Sequence, residues 1–257
     1  MLGAEPLAQL AVLDRLAILA VILLAVAGCA PVTSRSAPGR LTAERLDRSV
    51  ASEQRGRYLL YLPPGYSSDD GGRWPLLLFL HGAGERGDDL ELVKLHGPPK
   101  QIAAGQELPF IVVAPQVAEG RIWSTSFLDA LLEEVTERYA VDRDRISLTG
   151  LSMGGFGVWA LAMEYPDRFA ALVPISGGGM ISGACGLKGV PIRAFHGAHD
   201  EIIPVFLTRV LVERLRECGG DARLTVYPDA GHDAWTRTYD DPALYDWLLR
   251  QRRGGGQ

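Results

Sequence analysis

The sequence predicts an α/β domain built on a doubly wound, mostly parallel sheet with no large lid domain. Three observations carry this. Apolar strand-like runs alternate with amphipathic helical segments through most of the 257 residues. Several of those runs are continuously apolar, as strands covered by helices on both faces must be. One strand also runs straight into a helix through Gly150-Leu151-Ser152-Met153-Gly154. Such a G-x-S-x-G turn needs small residues around the serine, and it leaves the hydroxyl at a helix N-terminus, where free N–H groups favour negative charge.

In chain order, Tyr58–Leu62, Pro75–Leu80 and Phe110–Ala114 read as strands. Phe127, Leu128, Leu131, Leu132, Val135 and Tyr139 then recur at helical spacing. Ile146–Thr149 is the strand entering the elbow and Gly155–Met163 the helix leaving it. Ala170–Ile175 and Pro191–Phe195 are strands, and Leu207, Leu211 and Leu215 mark a helix stopped at Gly219-Gly220. Arg223–Tyr227 is the last strand, and Asp240 or Asp241 before Pro242 opens a final helix through Leu249. The segment Gly177–Gly189 is too short to hold a lid, so an open cleft with room for a bulky or polymeric substrate is expected. Gly82–Gly105 is long enough to contribute a flap.

The N-terminus stands apart from this pattern. Leu16–Ala27 is an apolar run behind Arg15, shorter than the roughly 20 residues a transmembrane helix needs. It fits the apolar region of an export signal. It ends Val26-Ala27-Gly28-Cys29, which resembles a bacterial lipobox, where the cysteine is lipidated and becomes the first mature residue. The predicted organisation is therefore a lipoprotein signal peptide over 1–28, lipidated Cys29 with a flexible tether over 29–45, and a catalytic domain over 46–252. This implies a cell-envelope protein touching the membrane only through its lipid; a secreted soluble protein is the alternative.

The net charge of −5 and the scattered arginines offer no phosphate-binding face, so nucleic acid is not expected as a partner. Cys185 and Cys218 would lie in a compartment that permits disulfides, and sequence leaves open whether they bridge or stay as two buried thiols.

A serine hydroxyl becomes nucleophilic only with a base in reach and an acid to orient that base. With such an elbow the chain order is nucleophile, acid, base. Of the histidines 81, 96, 196, 199 and 232, only His232 lies well past the serine and any acid, in the turn-rich loop Pro228–Asp233. Asp200, in the loop His196-Gly197-Ala198-His199-Asp200 after a strand, is the expected acid, with Glu201 and then Asp229 as substitutes. The oxyanion needs fixed donors. The Met153 N–H should be one; the other should come from His81-Gly82-Ala83-Gly84, with Ala83 preferred and Gly84 the alternate. His81 reads as a structural support of that loop. Trp235 and Trp123 are candidate cleft walls, and Trp247 fits the core better. Glu85 and Arg86 either pair with each other or meet the substrate.

These segments resemble a known group. Phe79-Leu80-His81-Gly82-Ala83-Gly84-Glu85-Arg86-Gly87-Asp88 is similar to the oxyanion segment of α/β-hydrolases of the predicted peptidase and carboxylesterase type. That group is related to the phospholipase/carboxylesterase, dienelactone hydrolase and polyhydroxybutyrate depolymerase families. Leu148–Gly155, Phe195–Asp200, Gly231–Trp235 and Tyr239–Leu248 resemble its elbow, acid loop, histidine loop and last helix, and the likeness runs from about Tyr58 to Leu249. It implies an α/β-hydrolase fold and a serine hydrolase with no metal and no organic cofactor. Dienelactone hydrolases use a cysteine nucleophile, so Ser152 departs from them. The expected reaction is cleavage of a small or polymeric carboxylic ester through an acyl-serine. A serine peptidase of prolyl-oligopeptidase type and a non-catalytic, lipid-anchored scaffold with the same fold are the alternatives. Haloalkane dehalogenase and epoxide hydrolase chemistry need a carboxylate where Ser152 stands.

Overall fold

The computed structural model describes residues 37–46, 56–69 and 71–254. The predicted signal peptide, Cys29 and the first part of the predicted tether lie outside them. Among the described residues, no helix is long and apolar enough to cross a membrane.

One eight-stranded sheet organises the domain, in the order β1-β2-β4-β3-β5-β6-β7-β8. The strands are β1 (Leu41–Arg45), β2 (Arg57–Tyr61), β3 (Trp74–Leu80), β4 (Ile111–Pro115), β5 (Val141–Leu151), β6 (Ala171–Ile175), β7 (Ile192–Gly197) and β8 (Ala222–Tyr227). β2 runs antiparallel to β1 and β4, and every pairing from β4 through β8 is parallel. The doubly wound, mostly parallel prediction holds.

Strand alternation splits the apolar residues of β3 between two layers. Leu76, Leu78 and Leu80 enter one core, together with α2 (Thr125–Arg138), α3 (Met153–Glu164) and α4 (Phe206–Glu217). Leu77 and Phe79 enter the other, with α1 (Gly97–Ala103), α5 (Trp235–Tyr239) and α6 (Pro242–Leu249). β4 and β6 are buried along their whole length, which explains why they read as unbroken apolar runs.

Three features depart from the sequence reading or complete it. Residues 41–45, expected within the flexible tether, form edge strand β1, paired from Leu41↔Tyr61 to Arg45↔Arg57, so the sheet begins before residue 46. Its side chains are mostly half-exposed or exposed, and backbone pairing rather than an apolar face holds it. Helix α1, within the stretch Gly82–Gly105 that was expected to contribute a flap, opens on Gly97-Pro98-Pro99; prolines are tolerated there because first-turn N–H groups have no intrahelical acceptor. Cys185 and Cys218 form a disulfide with Cα atoms 5.5 Å apart. It fastens the 3-10 turn Ile181–Leu187, in the short segment where a lid would have to be inserted, to the C-cap of α4. Closing a loop of 33 residues stabilises the fold by on the order of 3–4 kcal/mol in the chain-entropy account.

Candidate active site

β5 delivers Ser152 to the edge of the sheet and α3 begins at the next residue. The turn between them is strained. Ser152 has φ 52° and ψ −116°, a conformation L-residues rarely adopt. A Cβ on Gly154 would lie 2.0 Å from the Leu80 carbonyl oxygen, and one on Gly150 would lie 2.6 Å from that of Gly154. Glycine is therefore obligatory on both sides of the serine. The Ser152 N–H donates to the Ile175 carbonyl at 2.9 Å, which locks the elbow to the end of β6.

Adjacent parallel strands bring the remaining groups to the same edge. Asp200 follows β7 and His232 follows β8. His232 Nε2 lies 2.9 Å from Ser152 Oγ, and its Nδ1 lies 2.7 Å from Asp200 Oδ2. Ser176, the residue after β6, adopts φ 47° and donates its hydroxyl to the His232 carbonyl at 2.9 Å. Each of β5, β6, β7 and β8 is thus followed by a residue that builds or braces one hydrogen-bonded line.

Asp200 is buried, and its other oxygen accepts the N–H groups of Ile202 (3.0 Å) and Ile203 (2.8 Å). Burial alone would raise its pKa. The hydrogen bond from His232 and those two N–H groups outweigh it and hold the carboxyl below its ordinary value. The acid is therefore ionised near neutral pH, with Nδ1–H of His232 donating to it. The substitutes are elsewhere: Glu201 is exposed, and Asp229 pairs with Arg237 at 3.1 Å.

Two supports escaped the sequence reading. His196 is completely buried beneath the acid, with Nε2 3.1 Å from Asp200 Oδ2 and Nδ1 2.8 Å from Thr208 Oγ1. Its only sequence signal is alternation along β7, which turns it to the face opposite Phe195. Ser176 is the other, and a serine following an apolar strand is too common to single out.

The predicted oxyanion segment is clamped from several sides. His81 Nδ1–H donates to the Gly82 carbonyl at 2.6 Å, and the Val117 N–H donates to Nε2 at 3.0 Å. A trans peptide points its C=O and N–H in opposite directions. Anchoring the Gly82 carbonyl on His81 therefore turns the Ala83 N–H away from the core. The Gly82 N–H is already taken by the Glu85 carboxylate at 2.7 Å, which leaves Ala83 and Gly84, both exposed, as candidate donors. Gly82 itself lies against the elbow, since a Cβ on it would sit 3.6 Å from that of Ser152. Across the gap, the Met153 N–H is the first of α3 and has no acceptor inside its helix. Glu85 and Arg86 do not pair with each other. Glu85 holds the Gly82 N–H and lies 3.6 Å from His96, while Arg86 Nε donates to the Ala83 carbonyl at 2.9 Å.

The tryptophans divide. Trp235 lies edge-on to the His232 ring, with centroids 5.1 Å apart, and meets His96 on another side at 5.7 Å. Trp123, expected as a cleft wall, is instead a brace. It is buried, donates Nε1–H to the His81 carbonyl at 3.2 Å and packs edge-on to that imidazole at 4.8 Å. Trp247 is buried, as expected, beneath Arg193. Among the described residues, no three His, Cys, Asp or Glu side chains are grouped to hold a metal ion.

Burial pushes the His81 pKa down to about 4 from an ordinary 6.5. The folded value lies below the unfolded one, so the unfolded chain binds the extra proton between them. Stability is full above about pH 6.5 and falls as the pH drops toward 4, by about 3 kcal/mol for this group. Urea unfolding midpoints across pH 7 to 4 should decline accordingly. A flat profile would mean that this imidazole is not held neutral.

Residues 119–242 match the phospholipase/carboxylesterase family model. Feruloyl esterase C of Emericella nidulans is 29% identical over 201 residues, covering 74% of this chain and 71% of the relative. A bifunctional acetylxylan esterase/xylanase of Neocallimastix patriciarum is 26% identical over 184 residues, covering 67% of this chain but only 26% of the relative. Among solved structures, a thermostable esterase superposes with a TM-score of 0.73 at 33% identity, covering 83% of this chain and 63% of that one. The chain thus spans about a quarter of the acetylxylan esterase/xylanase and under two thirds of the solved esterase. The mostly parallel eight-stranded sheet, the serine elbow at its edge and these matches together give the chain the α/β-hydrolase fold and a carboxylesterase-like sequence.

Proposed function

We propose that this protein hydrolyses carboxylic esters through an acyl-Ser152 intermediate, on a small-molecule or polymeric substrate. The observation that carries the reading is the continuous line from Ser152 Oγ to His232 at 2.9 Å and from His232 to Asp200 at 2.7 Å. Oγ attacks the ester carbonyl as His232 Nε2 takes its proton. The resulting oxyanion faces the N–H groups of Met153 and Ala83, with Gly84 as the alternate second donor. His232 then gives its proton to the departing alcohol. In the second half it takes a proton from water, which attacks the acyl group, and returns that proton to the Ser152 oxygen as the acyl group leaves. Asp200 stays ionised and holds the imidazole in the tautomer that leaves Nε2 free. The esterase names of the relatives support an ester over an amide. The same reading has residues 1–28 removed on export and Cys29 lipidated, so that the enzyme works in the cell envelope.

A panel of p-nitrophenyl acetate, butyrate and octanoate beside peptide p-nitroanilides tests the reaction class. Turnover of at least one ester, with anilides cleaved orders of magnitude more slowly, is the expected outcome. Comparable efficiency on the anilides would replace the esterase with a peptidase. Inertness toward both, and toward a fluorophosphonate, would favour a scaffold.

A further inference from the structure

Glu85 is a buried carboxylate that the acyl-transfer steps leave unused. It is 6% exposed, closes the 3-10 turn Ala83–Glu85, and accepts the buried Gly82 N–H on Oε2 at 2.7 Å. Carboxylates are almost never buried so deeply unless they are paired or hydrogen-bonded. The partner here is a backbone group of the oxyanion segment.

Position 82 shows what that bond does. A Cβ there would lie 2.8 Å from Leu151 Cδ1 and 3.1 Å from Glu85 Oε2, so the close approach of this loop to the elbow favours glycine. Glycine also has the greatest backbone freedom. Its two dihedrals join the peptide that carries the Gly82 N–H to the peptide that carries the Gly82 carbonyl and the Ala83 N–H. Glu85 holds the first peptide, and His81 holds the second at 2.6 Å. With both planes held, φ −79° and ψ −173° are fixed, and so is the direction of the Ala83 N–H. The acceptor is itself anchored. Gln116 Nε2, just past β4, donates to the Glu85 carbonyl at 2.9 Å and to the Asp89 carbonyl at 2.7 Å. The other carboxylate oxygen lies 3.6 Å from Nε2 of His96, the residue before α1.

Resting on the ester-hydrolase reading, we infer that Glu85 is a positioning residue for the oxyanion hole: with His81, it aims the Ala83 N–H at the oxygen that becomes negative in the tetrahedral state. Its contribution comes from reach rather than charge. A negative group this near the hole opposes an oxyanion, whereas a fixed acceptor for the Gly82 N–H keeps the donor in line. Acylation and deacylation both pass through an oxyanion in the same hole, so the effect falls on kcat and leaves KM little changed.

Two variants separate reach from charge. Glu85→Asp keeps the charge but is a methylene too short for the Gly82 N–H. Glu85→Gln keeps the reach, with its amide oxygen on that N–H and its NH2 toward His96. Rates are measured on p-nitrophenyl butyrate, per site labelled by a fluorophosphonate at completion, which discounts unfolded protein. Glu85→Asp should lose about ten- to a hundredfold in kcat at an unchanged KM, less than the full cost of removing an oxyanion donor. Glu85→Gln should recover about half of that loss on a logarithmic scale, because an ionised acceptor binds roughly twice as strongly as a neutral one. Affinity for an alkyl trifluoromethyl ketone, whose adduct with Ser152 carries an oxyanion, should fall in the same order. A loss under about threefold in Glu85→Asp, a loss that appears in KM alone, or a Glu85→Gln no better than Glu85→Asp overturns the positioning role. So does a lowered thermal midpoint with kcat per labelled site intact. Wild-type protein that cleaves no ester sinks the esterase reading by itself. The ketone series then still reads the loop: graded affinities leave the positioning role standing, and equal affinities in all three proteins overturn it.

Discussion

Ser152→Ala should abolish ester turnover, lowering kcat by about a million-fold while leaving the protein folded. The substitution removes the one atom proposed to form a bond with substrate. It should cost little else, because Ser152, although it stands at the N-cap of α3, makes no side-chain capping hydrogen bond. Its backbone strain is set by the elbow and would be borne equally by alanine. The N–H that ties the turn to Ile175 survives, as do the Met153 N–H and the clamped Gly82–Ala83 peptide. The variant should therefore still bind substrate, with any residual rate coming from the oxyanion donors. Loss of fluorophosphonate labelling with an unchanged thermal midpoint would fit this account. Labelling at the wild-type level would move the nucleophile elsewhere.

Asp200→Asn carries the second largest expected effect, a fall in kcat of about ten thousand-fold with little change in KM. The amide has the same shape as the carboxylate, so packing is preserved. Its chemistry conflicts with the site. If the amide oxygen keeps the N–H groups of Ile202 and Ile203, the NH2 faces His232 Nδ1 and makes it an acceptor. The imidazole then carries its proton on Nε2, the atom that should take the one from Ser152. Flipping the amide restores the His232 contact but sets its NH2 against two backbone N–H donors. A loss below about tenfold would mean that Asp200 does not orient the base. Titrating kcat against pH in both proteins separates a wrong tautomer from a misfolded loop, which would also raise KM.

The parts of this site that chemistry forces into fixed order were legible in the sequence. Gly150 and Gly154 had to be glycine because backbone carbonyls approach within the radius of a methyl group. His232 and Asp200 followed from chain order once Ser152 was placed. The central strands were legible because burial on both faces leaves an unbroken apolar run. The missed parts all depend on contacts between distant segments. β1 has no apolar face and exists through its register with β2. His196 and Ser176 act through bonds to loops that neither adjoins in sequence. Trp123 looks the same in sequence whether its indole meets a ligand or the His81 carbonyl. The disulfide required a Cα separation that spacing alone does not give.

Ser152 and His232 are 80 residues apart in the chain, and Asp200 lies 32 residues before His232. The three meet only after β5, β6, β7 and β8 have all paired in register, and parallel pairing of this kind is long-range and forms late. A chain still on the ribosome, or one lacking its last strand, carries an ordinary unreactive serine. In the proposed mechanism, reactivity therefore belongs to the finished sheet and not to the serine by itself.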